Sequence, residues 1–181
     1  HCTGASQRRQ HTARHPCENT QVHLLNADLH CHSRFSDGTL SPTALARRAH
    51  ANGVELWALT DHDEVSGLAE AAQAAASLGM GFVNGVEISV SFAGETVHIV
   101  GLDFDATHPA LLAGLARTRG GRLQRAQAMA DGLAQVGLKG AFDGALRYVG
   151  NPALVSRTHF ARWLVETGTC TDTGAVTMIK T

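Results

Sequence analysis

The stretch Ala27-Asp28-Leu29-His30-Cys31-His32-Ser33-Arg34-Phe35-Ser36-Asp37-Gly38 constrains this chain more than any other. It closes an apolar run, sets two histidines at i and i+2, and places an aspartate five residues after the second. A strand over 24–32 turns alternate side chains to the same side, so His30 and His32 face one way and Cys31 faces the core. Two neighbouring imidazoles with a carboxylate close by are what a metal centre needs. The rest of the chain is then a question of which segments bring further ligands to that point.

The segments read in order as follows. Residues 22–29 form an apolar strand ending at His30, and Ser36-Asp37-Gly38 is turn chemistry. Ser41-Pro42 opens a helix as N-cap and first helical position, and Asn52-Gly53 closes it. The run VELWAL over 54–59 is a buried strand that ends at Thr60-Asp61-His62-Asp63. An alanine-rich helix over 66–78 stops at Gly79, and a strand over 81–86 ends at Glu87. Residues 88–92 alternate, Ala93-Gly94-Glu95 turns, and 96–102 returns as a strand carrying His98. From His108 onward the pattern is helical: 109–119, 121–136, 141–148 and 157–167, with Asn151-Pro152 as a break.

Strands alternating with helices, followed by a hairpin, indicate an α/β fold with a parallel sheet or barrel. Such folds place their chemistry at the carboxyl ends of strands. His30, His32, His62 and Glu87 fall at or just past such ends. The expected organisation is a disordered leader 1–21, an α/β barrel portion 22–103, a helical subdomain 104–168 and an unpatterned tail 169–181.

Composition narrows the classes. Net charge is -1 with 44% hydrophobic residues, so a bulk basic surface for duplex nucleic acid is not expected. No apolar run reaches the roughly 18–20 residues of a membrane span, and residues 1–20 contain no apolar core of signal-peptide type. The four cysteines, Cys2, Cys17, Cys31 and Cys170, show no paired spacing, which fits a reducing cytoplasm.

The ordered set is His-x-His-x4-Asp (His30, His32, Asp37), then Asp61-His62, then Glu87, then His98. Imidazole and carboxylate donors suit Zn, Mn or Fe, and six donors exceed the four of one tetrahedral ion, so two or three divalent metal ions are expected. Asp61 and Asp63 read as residues that hold a ligand or the loop in place.

The motifs ADLHCHSRFSDGTLSP, LTDHD, GVEIS and VHIVG resemble successive motifs of the PHP (polymerase and histidinol phosphatase) family of metal-dependent phosphoesterases. The resemblance covers about 24–104 and extends more weakly through Arg122-Leu123-Gln124-Arg125-Ala126 and the segment 156–162. It is greatest to the branch that hydrolyses nucleoside 3′,5′-bisphosphates and trims short RNA from its 5′ end. The resemblance implies a distorted (βα)7 barrel with a helical insertion. It implies His30, His32, Asp37, His62, Glu87 and His98 as metal ligands, the first five also as catalytic residues, and His159 as a further site residue. Arg122, Arg125 and Arg157, with His159, are expected to hold substrate phosphate, because guanidinium binds phosphate bidentately.

The expected partner is a small phosphorylated substrate, a nucleotide or short oligonucleotide. Another small phosphate ester of histidinol-phosphate type, or a non-catalytic metal-binding role, is the alternative. The family closes its barrel with later strands and an Asp-x-His motif. That motif does not follow here, so the resemblance implies a C-terminally truncated chain with an open barrel and one metal position short of ligands.

Overall fold

The helices start and stop close to where the sequence anticipates, whereas the first strand is shorter and the third longer than expected. The computed structural model describes residues 24–171. The leader 1–21, residues 22–23 of the expected first strand and residues 172–181 of the tail lie outside the described residues.

Strand β1 is short, Ala27–Asp28. Helix α1, Pro42–Ala51, starts where the Ser41 side chain accepts from the Ala44 N–H at 3.2 Å. Strand β2, Leu56–Leu59, is the expected apolar run, and α2, Leu68–Ser77, buries Leu68, Ala71, Ala74 and Ala75. Strand β3, Gly81–Phe92, is one 12-residue strand rather than the two segments expected at 81–86 and 88–92. Strand β4, Glu95–Leu102, completes the hairpin. Helices α3 (Pro109–Gly120), α4 (Arg122–Gln135), α5 (Ala141–Leu146) and α6 (Arg157–Glu166) follow, with a 3-10 turn at Pro152–Leu154.

The sheet order is β1-β2-β3-β4. The first three strands are parallel, and β4 runs antiparallel to β3. The long β3 serves both arrangements. Its first half pairs Gly81 to Asn84 with Leu56 to Leu59, and its second half pairs Gly85 to Phe92 with Leu102 to Glu95.

Two hydrophobic clusters carry the packing. One lies between the sheet and α1/α2 and includes Ala46, Trp57, Leu59, Leu68, Ala71 and Met80. Small alanine side chains let α2 lie close to the sheet there. The other is helical and gathers Ala126, Met129, Leu133, Ala145, Phe160, Trp163 and Leu164. In this second cluster α5 crosses α6 at Gly144. A Cβ added to Gly144 would fall 2.3 Å from the Trp163 indole, so glycine is required by contact. Strand β4 lies at the sheet edge with Val97 and Ile99 exposed.

Gly144→Ala should therefore lower stability by about 1–3 kcal/mol, the usual cost of overpacking. Urea denaturation of the variant beside the wild type measures it, and an unchanged midpoint would show that Trp163 can swing away without cost.

Candidate metal centre

The expected first strand stops at Asp28, yet the alternation of side chains continues past it. Thr60 donates its N–H to the Cys31 carbonyl at 2.9 Å, and Cys31 donates its own N–H to Thr60 Oγ1 at 3.1 Å. This keeps 30–32 extended beside the end of β2. Cys31 points inward, where its sulfur accepts from the Trp57 indole N–H at 3.1 Å and burial pushes its thiol up to about 12. His30 and His32 point the other way, with Nε2 atoms 3.2 Å apart.

A second ladder continues past the end of β2. Asp63 donates its N–H to the Glu87 carbonyl at 2.9 Å, and the Glu87 N–H donates to the Asp61 carbonyl at 3.2 Å. His62 and Glu87 are thereby a parallel bridge pair. On the antiparallel side, Ser89 is the register partner of His98. The extended segment after β1, the loop after β2, the middle of β3 and its hairpin partner thus deliver the expected residues to one place, with Glu87 inside the 12-residue β3 and not at a strand end as expected.

Glu87 is the centre of the arrangement. Its Oε2 lies 3.0 Å from His30 Nε2, 3.0 Å from His32 Nε2 and 3.5 Å from His62 Nδ1, and its Oε1 lies 3.7 Å from His98 Nδ1. Asp37 stands on the far side, with Oδ1 3.9 Å from His32 Nδ1 and Oδ2 3.8 Å from His62 Nε2. The donors fall into three overlapping triads: His30, His32 and Glu87; His32, Asp37 and His62; and His62, Glu87 and His98.

Burial works against ionised carboxylates here, but the surrounding histidines outweigh it and hold both Asp37 and Glu87 below the ordinary range. Burial also holds His62 below the ordinary imidazole value, which favours the neutral ring with one nitrogen lone pair free.

The donor set fits divalent ions. Atoms that share an ion at about 2.1 Å lie roughly 3.0–3.4 Å apart, close to the 3.0–3.9 Å spacings here. His32 Nδ1 and His62 Nδ1 are buried without a hydrogen-bond partner among the described residues. Orphaned buried nitrogens are costly unless something binds them.

A shell of hydrogen bonds fixes the donors. Asp61 is buried and accepts from Ser33 N–H at 2.7 Å, Ser33 Oγ at 2.6 Å and Ser36 Oγ at 2.6 Å, pinning the turn that carries Asp37. Burial pushes the Asp61 carboxyl up, and these hydrogen bonds oppose the push. Gly38 closes the same turn, where an added Cβ would meet the His32 carbonyl oxygen at 2.1 Å. Asp63, at φ 52°, accepts from the Ser89 N–H at 2.7 Å and from Arg122 Nε at 3.0 Å. Arg122 Nη2 donates to the same carboxylate and to Ser89 Oγ, the latter at 2.8 Å, and Ser89 Oγ lies 3.3 Å from His98 Nδ1.

A cleft of about 290 Å3 opens beside the donors. Asp37, His62 and His98 stand on its wall with Arg122, Arg125 and Arg157, and Ala128, Met129 and Val155 add an apolar side. Arg125 and Arg157 are exposed, whereas Arg122 is buried on Asp63. His159 lies apart from the cleft wall. It is fully buried, its Nδ1 accepts from the Ser156 N–H at 3.0 Å at the start of α6, and burial lowers its pKa to about 4.

Sequence reasoning did not single out Thr158 and Arg162, which reach Asp37 from α6, or Arg119, which donates to the Asp63 carbonyl. Contacts spanning 121 and 125 residues leave no local pattern to read.

Comparison with known proteins identifies the family. The family model described as PHP domain matches residues 28–138. The chain belongs to the PHP-domain family. A 3′,5′-nucleoside bisphosphate phosphatase of Chromobacterium violaceum is 56% identical over 149 residues, 82% of this chain and 52% of that protein. A 5′-3′ exoribonuclease of Haemophilus influenzae is 46% identical over 81% of this chain and 53% of its own length.

Among solved structures, one described as an amidohydrolase from Chromobacterium violaceum with bound sulfate superposes with a TM-score of 0.81. It shows 55% identity over 84% of this chain and 54% of that one. A protein of Bifidobacterium adolescentis described as a metal-dependent phosphoesterase gives a TM-score of 0.74 at 30% identity, over 82% of this chain and 52% of that one. The PHP chain spans about half the length of the curated relatives it matches. Its mixed sheet and flanking helices are the partial PHP-type α/β barrel that the motifs imply.

Two outcomes are expected from the shell. Arg122→Met strands the Asp63 carboxylate in the interior and should cost about 3–5 kcal/mol in denaturation at neutral pH, the usual effect of removing one partner of a buried pair. A loss under about 1 kcal/mol would show Asp63 satisfied without the guanidinium.

His159 is lowered to about 4 in the folded chain from an unfolded value near 6.5. The unfolded state therefore takes up the proton first. The stability of the neutral buried ring is complete above about pH 6.5 and is lost as pH falls toward 4, at up to about 1.4 kcal/mol per pH unit. His159→Gln keeps an acceptor at the helix start. Melting in chelator should show a shallower acid loss for this variant, and an equal slope would contradict the assignment.

Proposed function

We propose that this chain carries the metal-binding part of a phosphoesterase acting on phosphate esters of nucleotides, 3′,5′-bisphosphates or the 5′ ends of short RNA. The observation that carries the reading is the convergence of four imidazoles on the Glu87 carboxylate beside a cleft whose wall carries His62, His98 and three arginines. His30, His32, Asp37, His62, Glu87 and His98 are the residues that would hold two or three divalent ions of Mn, Zn or Fe type. Bound there, such ions supply Lewis acidity toward phosphoryl oxygens and lower the pKa of water toward neutrality.

The chain's own groups do the rest. Arg125 and Arg157, exposed on the cleft wall, bind the phosphate that is not being cleaved. Arg122 spends its donors on Asp63 and Ser89, so its part is to hold the wall and the His98 side of the centre. His159 supports the start of α6 from the interior. Ala128, Met129 and Val155 give the less polar body of the substrate a dry surface.

The relatives' names support the substrate class: one is a nucleoside bisphosphate phosphatase and another a 5′-3′ exoribonuclease. We further propose the division near residue 104 between barrel portion and helical subdomain, which the two hydrophobic clusters support. Cys31 and Cys170 are both free thiols, which suits a cytoplasmic setting. No helix among the described residues is long and apolar enough to cross a membrane.

A second reading has a specific observation behind it. The chain spans about half the length of the curated relatives it matches, and the second reading is a metal-binding module that does not itself catalyse hydrolysis. Elemental analysis and phosphate release separate the readings. The expected result is at least one divalent ion per chain, reduced by His32→Ala, with Mn2+-dependent phosphate release from adenosine 3′,5′-bisphosphate in preference to histidinol phosphate. The reverse preference would assign another small ester. Uptake of metal without hydrolysis of either would leave the non-catalytic role.

A further inference from the structure

Asp37 lies on the turn 33–38 and is held from two sides. The turn itself closes through the Gly38 N–H on the Ser33 carbonyl at 2.9 Å, and Asp61 grips its Ser33 and Ser36 from the sheet side. From the opposite side, Thr158 Oγ1 donates to Asp37 Oδ2 at 2.9 Å. One helical turn further along α6, Arg162 Nη2 donates to the Asp37 carbonyl. The helix making both contacts is anchored elsewhere, by Phe160, Trp163 and Leu164 in the helical cluster.

We propose that Thr158 and Arg162 are positioning residues that set the Asp37 carboxylate, from a helix outside the sheet, toward His32 and His62. The inference rests on the metal-centre reading above and extends it to two residues that reach the centre through Asp37, Thr158 from the cleft wall and Arg162 from the next turn of the same helix. A carboxylate on a loop is free to rotate about two side-chain bonds. A hydroxyl donated to one oxygen removes that freedom and occupies one lone pair of Oδ2. The remaining lone pairs stay directed at the His32 and His62 nitrogens 3.9 and 3.8 Å away. Groups that orient a ligand in this manner govern affinity by setting the geometry before the ion arrives. Arg162 fixes the backbone from which that carboxylate springs, so the two contacts act on successive links of the same residue.

Calorimetric titration of the metal-free 181-residue chain with Mn2+ tests this. Thr158→Val keeps the shape and removes the hydroxyl, and it should weaken binding by about 10- to 100-fold. Thr158→Ser, which retains the hydroxyl, should restore the wild-type affinity. Arg162→Gln should shift affinity in the same direction, and it carries the test if the valine variant fails to fold. Melting in chelator gives the control. A purely structural role would move the melting temperature of the valine variant and leave its Mn2+ affinity at the wild-type value, which overturns the proposal. Serine binding as weakly as valine overturns it as well. A folded wild-type chain that takes up no Mn2+ overturns the metal-centre reading and this inference together. Wild-type uptake with unchanged affinity in both the valine and glutamine variants overturns this inference alone.

Discussion

The structure depends on one carboxylate placed where lone pairs converge. Glu87 has nitrogen atoms of four histidines within 3.7 Å, contributed by the extended segment 30–32, the loop after β2 and the hairpin partner β4. Such a cluster is unfavourable without positive charge, because protons on the imidazoles can answer only part of the demand. A divalent ion answers it with geometry that hydrogen bonds of 3.5 Å or more cannot match. The surrounding backbone is committed to this arrangement. The ladder that sets His62 beside Glu87 runs through buried residues, so the donors cannot drift apart unless the sheet opens.

The second constraint is how the helices hold that site. Two hydrophobic clusters give each part of the chain its own packing, and the polar contacts run between them. Arg119 and Arg122 reach the loop after β2, and Thr158 and Arg162 reach the turn after residue 32. Apolar burial is indifferent to small sliding, whereas a buried guanidinium on Asp63 tolerates little. The polar bridges therefore set the register between helices and sheet, and the cleft is the gap left between them.

Much of this was legible in the sequence because most of the candidate donors follow strand ends. Strand ends are marked by turn chemistry and by the switch from apolar to polar, so His30, His32 and His62 could be placed without coordinates, whereas Glu87 lies inside β3. His98 was readable as a strand residue, though only its register opposite Ser89 aims it at the centre. The fused β3 was less legible. Gly85 and Glu87 interrupt the apolar run where β3 exchanges one partner strand for the other, and that interruption looks like an end. The arginines show the limit most plainly. Arg122 and Arg125 are three residues apart on one helix, yet one is buried on Asp63 and the other lies on the open cleft wall. Which of two similar cations meets a buried acid is decided by tertiary placement, and no spacing encodes it.

The edge strand has a colloidal consequence. β4 pairs on one side with β3, and among the described residues no strand pairs with its other side. Its outward face adds exposed Val97 and Ile99, with exposed Phe92 at the hairpin tip. Proteins usually blunt such an edge with lysine, proline or a bulge, and here Glu95 is the one charge along it. The unpaired edge of the strand that carries His98 is thus an open template for another chain.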